Sequence, residues 1–161
     1  HLDHIGGTRT VKETLAKEGA PPVIALHRGD VPLYEKLREQ GSLFGIRYDD
    51  PLPVEKFLED EEDIALGALK FSVVHTPGHS PGSVCLRLHE DSALSVPETL
   101  YSGDTLFQGS VGRTDLWGAN GDQMFRSIRQ RILTLDEDTR VCPGHGEETR
   151  IGVEKRENPF L

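Results

Sequence analysis

The chain has 161 residues, enough for one domain with a hydrophobic core. Its formal net charge of −9 argues against nucleic acids and anionic membranes as partners, because both require a basic face. No apolar run approaches the roughly 20 residues of a membrane-spanning helix. Two cysteines, Cys85 and Cys142, are too few for a disulfide framework. We therefore expect a single domain over residues 1–161 with reduced thiols and a cytoplasmic location, while the oligomeric state is left open.

The first part of the chain predicts two helices around a short strand. Residues 8–18 have helical spacing of apolar positions, so we expect a half-buried helix there. Residues 23–26 form an apolar run after two prolines, which predicts a strand parallel to its neighbours. A second helix is expected from Asp30 to about Gln40. Residues 41–66, which include an acidic run, are expected to form a long surface segment.

The second part changes to an alternating β pattern and then returns to helix. Apolar alternation and turn residues predict strands over 69–75, 83–88, 98–103 and 140–142. The most strongly periodic helix covers residues 121–134, where Met124, Ile128 and Ile132, with Phe125, form an inner stripe. A last helical turn is expected over 152–157. This order of elements fits an α/β domain with helices outside a sheet.

The chain begins with two histidines and an aspartate within four residues, His1, Asp3 and His4. Neutral imidazole nitrogens and carboxylate oxygens are both good zinc ligands. A strand-to-helix turn at Gly6 and Gly7 would direct these side chains around a metal. Taken alone, the spacing fits a chance cluster as well as it fits a metal site.

Three later segments place a possible ligand directly after an apolar strand. His79 lies in a Pro/Gly turn, Asp104 follows the strand that ends at Gly103, and His145 follows the strand around Val141. A side chain at a strand end projects from a stiff support, as a metal ligand should. Taken alone, His145 is better interpreted as a turn residue and Asp104 as a helix cap. Their joint occurrence favours a metal site.

Together these motifs make the chain resemble the metallo-β-lactamase superfamily, whose pattern is His-x-His-x-Asp-His followed by one His, one Asp and one His on successive loops. The resemblance covers the whole chain. It implies a four-layer αβ/βα sandwich with metals at one sheet edge. The first histidine of that motif would precede His1, so we expect the chain to begin inside the motif, with the N-terminal strands of the fold missing.

The resemblance also implies roles for individual residues. The first of two Zn²⁺ ions would be held by His1 and His79, and Asp104 would bridge the two ions. The second would be held by Asp3, His4 and His145. Asp3 and Asp104 thereby count as catalytic, and iron or manganese is an alternative in one or both sites. The other histidines, His27, His75 and His89, match no position of the pattern and are expected to be structural.

The segments around Asp104, around Arg113 and at the C-terminal Asn158-Pro159-Phe160-Leu161 resemble the short type of glyoxalase II-like hydrolases, which lacks a helical C-terminal domain. This implies a thioesterase acting on acyl-glutathione-type thioesters by attack of metal-bound hydroxide. Arg113 matches a position that contacts a glutathione carboxylate, a group that guanidinium binds well. A local ion pair of Arg113 with Asp115 or Asp122 is the alternative. Because β-lactamases usually have cysteine at the position of Asp104, β-lactam hydrolysis is not expected.

Two further functions stay open. A persulfide dioxygenase with a single iron uses the same fold and has a similar segment at Arg113, although it usually follows the last histidine with an Asp-Tyr-His-like segment. This chain has Gly146-Glu147-Glu148 there. The third alternative is an inactive fragment, because a sheet without its upstream strands exposes an edge and one histidine ligand would be absent.

Overall fold

The computed structural model describes residues 1–161 and divides them into two compact units, His1–Leu58 and Glu59–Leu161. No helix in either unit has both the length and the apolar character that crossing a membrane requires. The prediction of a single domain over the whole chain stays a prediction.

The helices and strands follow one another in this order: α1 (Leu2–Ile5), α2 (Thr8–Lys17), β1 (Ala25–His27), a 3-10 helix (Arg28–Asp30), α3 (Val31–Tyr34), α4 (Leu37–Leu43), β2 (Lys56–Leu58), β3 (Asp63–Leu66), β4 (Leu69–His75), β5 (Val84–Leu88), β6 (Thr99–Gly103), β7 (Leu106–Phe107), β8 (Ser110–Val111), α5 (Gly121–Ser127), a π-helix (Ile128–Ile132), β9 (Arg140–Pro143), β10 (Thr149–Arg150) and α6 (Ile151–Glu157).

The first unit combines four short helices with one pair of strands. Strand β1 pairs in parallel with β2, as expected for the apolar run near residue 25. Helix α2 forms where it was predicted and ends before Gly19, whose φ of +82° stops the helix. The prediction that this helix is half-buried is wrong, since it has no buried residue and Val11 is 52% exposed.

The single helix predicted from Asp30 to Gln40 is wrong, because this region forms three short helices instead. Lys36 has φ −101° and ψ +22°, outside the α-helical range, and separates α3 from α4. The Gln40 side chain donates to the carbonyl of Leu33 at 2.8 Å, which satisfies an acceptor at the break. The Tyr34 hydroxyl donates to the carbonyl of Leu52 at 2.8 Å. These side-chain contacts favour a helix break that could not be predicted from the local sequence.

The long surface segment predicted over residues 41–66 is also wrong. In the first unit it includes the end of α4 and all of β2. In the second unit, β3 pairs with β4 as an antiparallel hairpin, and Gly67 with φ +59° lies at its turn. This strand was not predicted because Asp63, its first residue, is also the last residue of the acidic run, which indicated a solvated loop.

A six-stranded sheet forms the centre of the second unit, with the strand order β10-β9-β6-β5-β4-β3. The predicted strands over 69–75, 83–88, 98–103 and 140–142 correspond to β4, β5, β6 and β9. Their apolar side chains pack against one helix face. The buried core of this unit consists of Cys85, Leu100, Leu106, Met124, Ile128, Ile132, Val141 and Ile151.

The helix predicted over 121–134 forms as α5 and continues as a π-helix. Asn120 caps its first turn by accepting a hydrogen bond from the backbone N–H of Gln123 at 2.9 Å. Within the predicted stripe, Met124, Ile128 and Ile132 are completely buried, whereas Phe125 is only partly buried. The stripe therefore fixes which helix face meets the sheet.

The pairing directions bring three strand ends to one edge of this sheet. Strands β4 and β6 are each antiparallel to β5, and β6 is parallel to β9. Strands β4, β6 and β9 therefore run in the same direction, and their carboxyl ends meet at one edge. His79, Asp104 and His145 follow these three strands.

Candidate metal centre

Three of the predicted ligands come together at this edge of the second unit. His79 Nε2 lies 3.6 Å from Asp104 Oδ2, and His145 Nε2 lies 3.7 Å from Asp104 Oδ1. The side chains of His79 and Asp104 are only 8% and 15% exposed, whereas that of His145 is 57% exposed. Asp104 therefore presents a different carboxylate oxygen to each histidine.

The spacing of these atoms fits metal ligation better than direct hydrogen bonding. Separations of 3.6 and 3.7 Å exceed normal hydrogen-bond lengths. They are shorter than the roughly 4.0–4.3 Å obtained by adding a typical Zn–N and a typical Zn–O bond length. One cation could thus contact both members of each pair. Two imidazoles and a carboxylate form a donor set that suits zinc and also iron.

The orientation of His79 is fixed by a second hydrogen bond. Its Nδ1 lies 2.9 Å from the backbone carbonyl oxygen of Arg113. Because a carbonyl can only accept, Nδ1 carries the proton, and the lone pair of Nε2 faces Asp104. Backbone carbonyls commonly hold metal-binding histidines in this tautomer. The loop that contains Arg113 therefore prepares His79 for ligation.

Two glycines allow the backbone to approach these ligands closely. Gly78 has φ +150°, and a Cβ there would lie 2.3 Å from the Cα of Met124. A Cβ on Gly112 would lie 1.8 Å from the carbonyl oxygen of Asp104. No side chain fits either position without displacing backbone, so both glycines are needed for the shape of the ligand turns.

Backbone hydrogen bonds join the turns that carry Asp104 and His145. The N–H of Gly144 donates to the carbonyl of Gly103 at 2.9 Å, immediately before each ligand. The ring of His145 also lies edge-on to that of Phe107, with a centroid separation of 6.3 Å and an angle of 69°. The sequence analysis did not identify Phe107, whose only signal is that it is an apolar residue three positions after Asp104.

The other predicted ligands lie in the first unit, on and next to the short helix α1. His4 Nε2 is 3.6 Å from Asp3 Oδ2, and the two side chains are 32% and 55% exposed. The backbone N–H of His4 donates to the carbonyl of His1 at 3.3 Å. The predicted strand-to-helix turn at Gly6 and Gly7 is wrong, because these glycines join two helices.

Arg113, predicted to bind a substrate carboxylate, pairs with Asp115. Its Nε and one terminal nitrogen donate to the two carboxylate oxygens of Asp115 at 2.6 and 2.8 Å. The guanidinium lowers the pKa of Asp115 to about 2, and the carboxylate in turn raises the pKa of Arg113. The local ion pair that was left as an alternative is thus present, with Asp115 as its acid. The substrate-binding role stays a prediction.

The histidines without a place in the pattern make structural contacts. His27 Nδ1 accepts from the N–H of Gly29 at 3.2 Å, and His75 Nε2 donates to the carbonyl of Pro81 at 3.0 Å. His89 Nε2 lies 2.6 Å from the hydroxyl of Ser72. These contacts match the expectation for ordinary core or surface histidines.

A buried carboxylate of the second unit was also missed by the sequence analysis. Glu154 is 1% exposed and accepts hydrogen bonds from the Thr149 hydroxyl at 2.6 Å, the Gly109 N–H at 2.9 Å and the Asn158 amide at 2.8 Å. It thereby ties α6 to the β7–β8 turn and to β10. Its position in the helical pattern gave no signal, because acidic residues are common on exposed helix faces.

Comparisons with known proteins identify the family. A family model described as the metallo-beta-lactamase superfamily matches residues 1–145. Hydroxyacylglutathione hydrolase GloC of Haemophilus influenzae is 36% identical over 162 residues, which cover 100% of this chain and 72% of that protein.

Two solved structures are similar along the whole chain. The crystal structure of TTHA1623 in a di-iron-bound form is 40% identical, with a TM-score of 0.81 over 100% of this chain and 73% of that one. The crystal structure of BLEG-1 B3 metallo-β-lactamase is 38% identical, with a TM-score of 0.83 and the same coverage of 100% and 73%. These matches and the donor set described above show that the chain has the metallo-β-lactamase fold and belongs to the metallo-β-lactamase superfamily of metal-dependent hydrolases.

Proposed function

We propose that the protein is a dizinc thioester hydrolase of the glyoxalase II type, acting on acyl-glutathione-type thioesters. The observation that carries this proposal is the carboxylate of Asp104, whose two oxygens face His79 and His145 separately. That arrangement suits a carboxylate that bridges two metal ions. The similarity to the GloC hydrolase supports the choice of a thioester as substrate.

The proposed ligand set follows the family pattern. Asp104 would bridge the two ions, and the remaining ligands would divide between them as His1 and His79 for the first and Asp3, His4 and His145 for the second. When bound, two such ions supply a nucleophile from water at neutral pH and polarise the carbonyl of the substrate.

The residues of the chain would then hold and orient rather than attack. His79 keeps its proton on Nδ1 through the Arg113 carbonyl, so its Nε2 stays available as a ligand. A thiolate leaves readily, because a simple thiol has a pKa of about 8.5, so the reaction requires no general acid. This agrees with a site built of ligands without a separate proton donor.

Arg113 is proposed to bind a carboxylate of the glutathione moiety. Its guanidinium would have to exchange Asp115 for the substrate, and the exposure of 61% leaves it accessible for that exchange. With zinc in excess, so that the metal sites stay filled, Arg113→Ala should raise KM roughly 10- to 150-fold with kcat nearly unchanged, since it would remove uniform binding. The effect should vanish with a small thioester that has no carboxylate. Equal losses on both substrates would contradict the carboxylate-binding role.

The decisive experiment combines metal analysis with activity assays on the same preparation. We expect two zinc ions per chain and hydrolysis of an acyl-glutathione. Because the TTHA1623 structure is in a di-iron-bound form, the metal analysis must quantify iron as well as zinc. Manganese is quantified in the same measurement. One iron per chain with oxygen uptake would replace the hydrolase by the dioxygenase. Hydrolysis of a β-lactam without thioester hydrolysis would favour the β-lactamase activity for which BLEG-1 is named.

The expected partner is a small-molecule thioester. The net charge of −9 supports the absence of nucleic-acid and membrane partners. Both this absence and the cytoplasmic location stay predictions.

A further inference from the structure

The loop that joins β8 to α5 contacts the turn of His79 at two points. The carbonyl of Arg113 accepts the Nδ1 proton of His79 at 2.9 Å. Further along the loop, the N–H of Asn120 donates to the carbonyl of Gly78 at 2.7 Å. The orientation of the His79 ring therefore depends on where this loop places one carbonyl oxygen.

Arg113, which supplies this carbonyl, also forms a local ring through its side chain, which hydrogen-bonds to the side chain of Asp115. Arg113 donates two hydrogen bonds to Asp115, which lies only two positions later. A bidentate pair of this kind fixes direction as well as distance, because the planar guanidinium meets both carboxylate oxygens. It restricts the backbone dihedrals of the residues between its two ends, and thereby the direction of the Arg113 carbonyl.

We propose that Asp115 is a positioning residue for the metal ligand His79, which it holds through the side chain and carbonyl of Arg113. This inference rests on the metal site of the proposed function but not on the identity of the substrate. It assigns Arg113 a role in the absence of substrate, when its guanidinium is engaged by Asp115.

The expected effect is local. Both side chains are more than half exposed, at 61% and 67%, and exposed ion pairs contribute little to global stability. Loss of a direct partner of a metal-binding histidine weakens metal binding about 10- to 100-fold. Asp115 acts one residue further away, so we expect about 3- to 10-fold weaker zinc binding in Asp115→Asn, with little change in the thermal midpoint.

A matched control is available in the same unit. Arg131 and Asp60 form another bidentate pair, with distances of 2.8 and 3.0 Å. Asp60→Asn removes the charge from the same kind of pair. The backbone N–H of His75 also donates to Asp60 Oδ1 at 2.8 Å, and the amide oxygen of Asn can keep that bond. Zinc affinity should be unchanged in this variant.

The test has two readouts on Asp115→Asn, Asp60→Asn and the unchanged protein. Zinc affinity is measured by competition with a chromogenic chelator. Exchange of the His79 Nδ1 proton with solvent is measured by NMR on the metal-free protein, where faster exchange is expected only in Asp115→Asn. Asp115→Glu, which restores a carboxylate, should recover part of both properties.

Unchanged proton exchange in Asp115→Asn, or equal effects in Asp60→Asn, would overturn the positioning role. The proposed function fails in a different way, through absence of zinc or of thioester hydrolysis in the unchanged protein. Because proton exchange is measured without metal and without substrate, it decides the role of Asp115 independently of that outcome.

Discussion

The two groups of predicted ligands are supported very differently within their own units. His79, Asp104 and His145 follow strands of a six-stranded sheet, and two of these side chains are largely buried. Asp3 and His4 lie on α1, a helix of four residues that contains no buried residue. The difference concerns rigidity, since the residue types at the two places are the same.

A rigid support lowers the cost of binding a metal, because ligands that are already fixed lose little conformational freedom. The second unit shows this in its glycine-dependent turns and in the hydrogen bond that holds His79. We therefore expect the ligands of the second unit to dominate metal affinity and those of the first to modulate it. The predictions below test that expectation.

The largest effect is expected for Asp104→Ala, which removes the proposed bridging ligand. Activity should fall at least about 100-fold, given what metal ions contribute to such reactions, and metal content should fall with it. His4→Ala, in the first unit, should cause a smaller loss of metal. Both are measured by metal analysis and thioester turnover. Near-normal turnover of Asp104→Ala would remove Asp104 from the site.

Substituting one glycine in each unit should change the free energy of unfolding by different amounts. Gly112→Ala places a Cβ against the Asp104 carbonyl and should lower the free energy of unfolding by about 3 kcal/mol or more. Gly7→Ala, in the first unit, meets nothing within 4 Å and should change it by no more than about 1 kcal/mol. Denaturant unfolding measures both. Similar values for the two variants would mean that the Asp104 turn relaxes easily.

Carboxylate-to-amide substitutions should give a smaller contrast. Glu154→Gln leaves a single acceptor oxygen for three buried donors and should lower the free energy of unfolding by about 2 kcal/mol. Glu55 of the first unit accepts from Lys12 and from the N–H of Ile24, but its side chain is 43% exposed. Glu55→Gln should therefore be less destabilising. A greater effect of Glu55→Gln would contradict this ranking.

The smallest expected effect is a difference in labelling rate between the two cysteine thiols of the second unit. Burial raises the pKa of Cys85 to about 11, whereas Cys142 is half-buried and its pKa is raised less strongly. Because the thiolate is the reactive form, a thiol reagent at pH 8 should modify Cys142 first and Cys85 only after unfolding. Mass spectrometry after timed labelling identifies the site. Early labelling of Cys85 would show that the interior next to Thr76 opens in the native state.

Local patterns determined much of the second unit. The strands around Val73, Leu86 and Leu100 and the helix stripe of Met124 and Ile128 are all where periodicity predicts them. Periodicity succeeds here because each element packs one face against a single core, so burial and sequence spacing coincide. The turn positions of the three strand-end ligands could be predicted for the same reason.

Contacts between distant residues decided the rest. The helix predicted from Asp30 is interrupted where the Gln40 and Tyr34 side chains donate to backbone carbonyls. Strand β3 was not predicted, because it begins in an acidic run and is stabilised by pairing with β4. The sequence could not choose between Asp115 and Asp122 as the partner of Arg113, because the choice depends on the path of the loop.

The sequence by itself determined the residue types of the site, their order and their places at strand ends. Only the tertiary structure decided that the two carboxylate oxygens of Asp104 face different histidines, Oδ2 toward His79 and Oδ1 toward His145. It also decided that the Arg113 carbonyl fixes the tautomer of His79. Strand ends are set by local periodicity, whereas the atoms that meet at a sheet edge depend on pairing direction and register. These are settled only when residues far apart in the chain pack together.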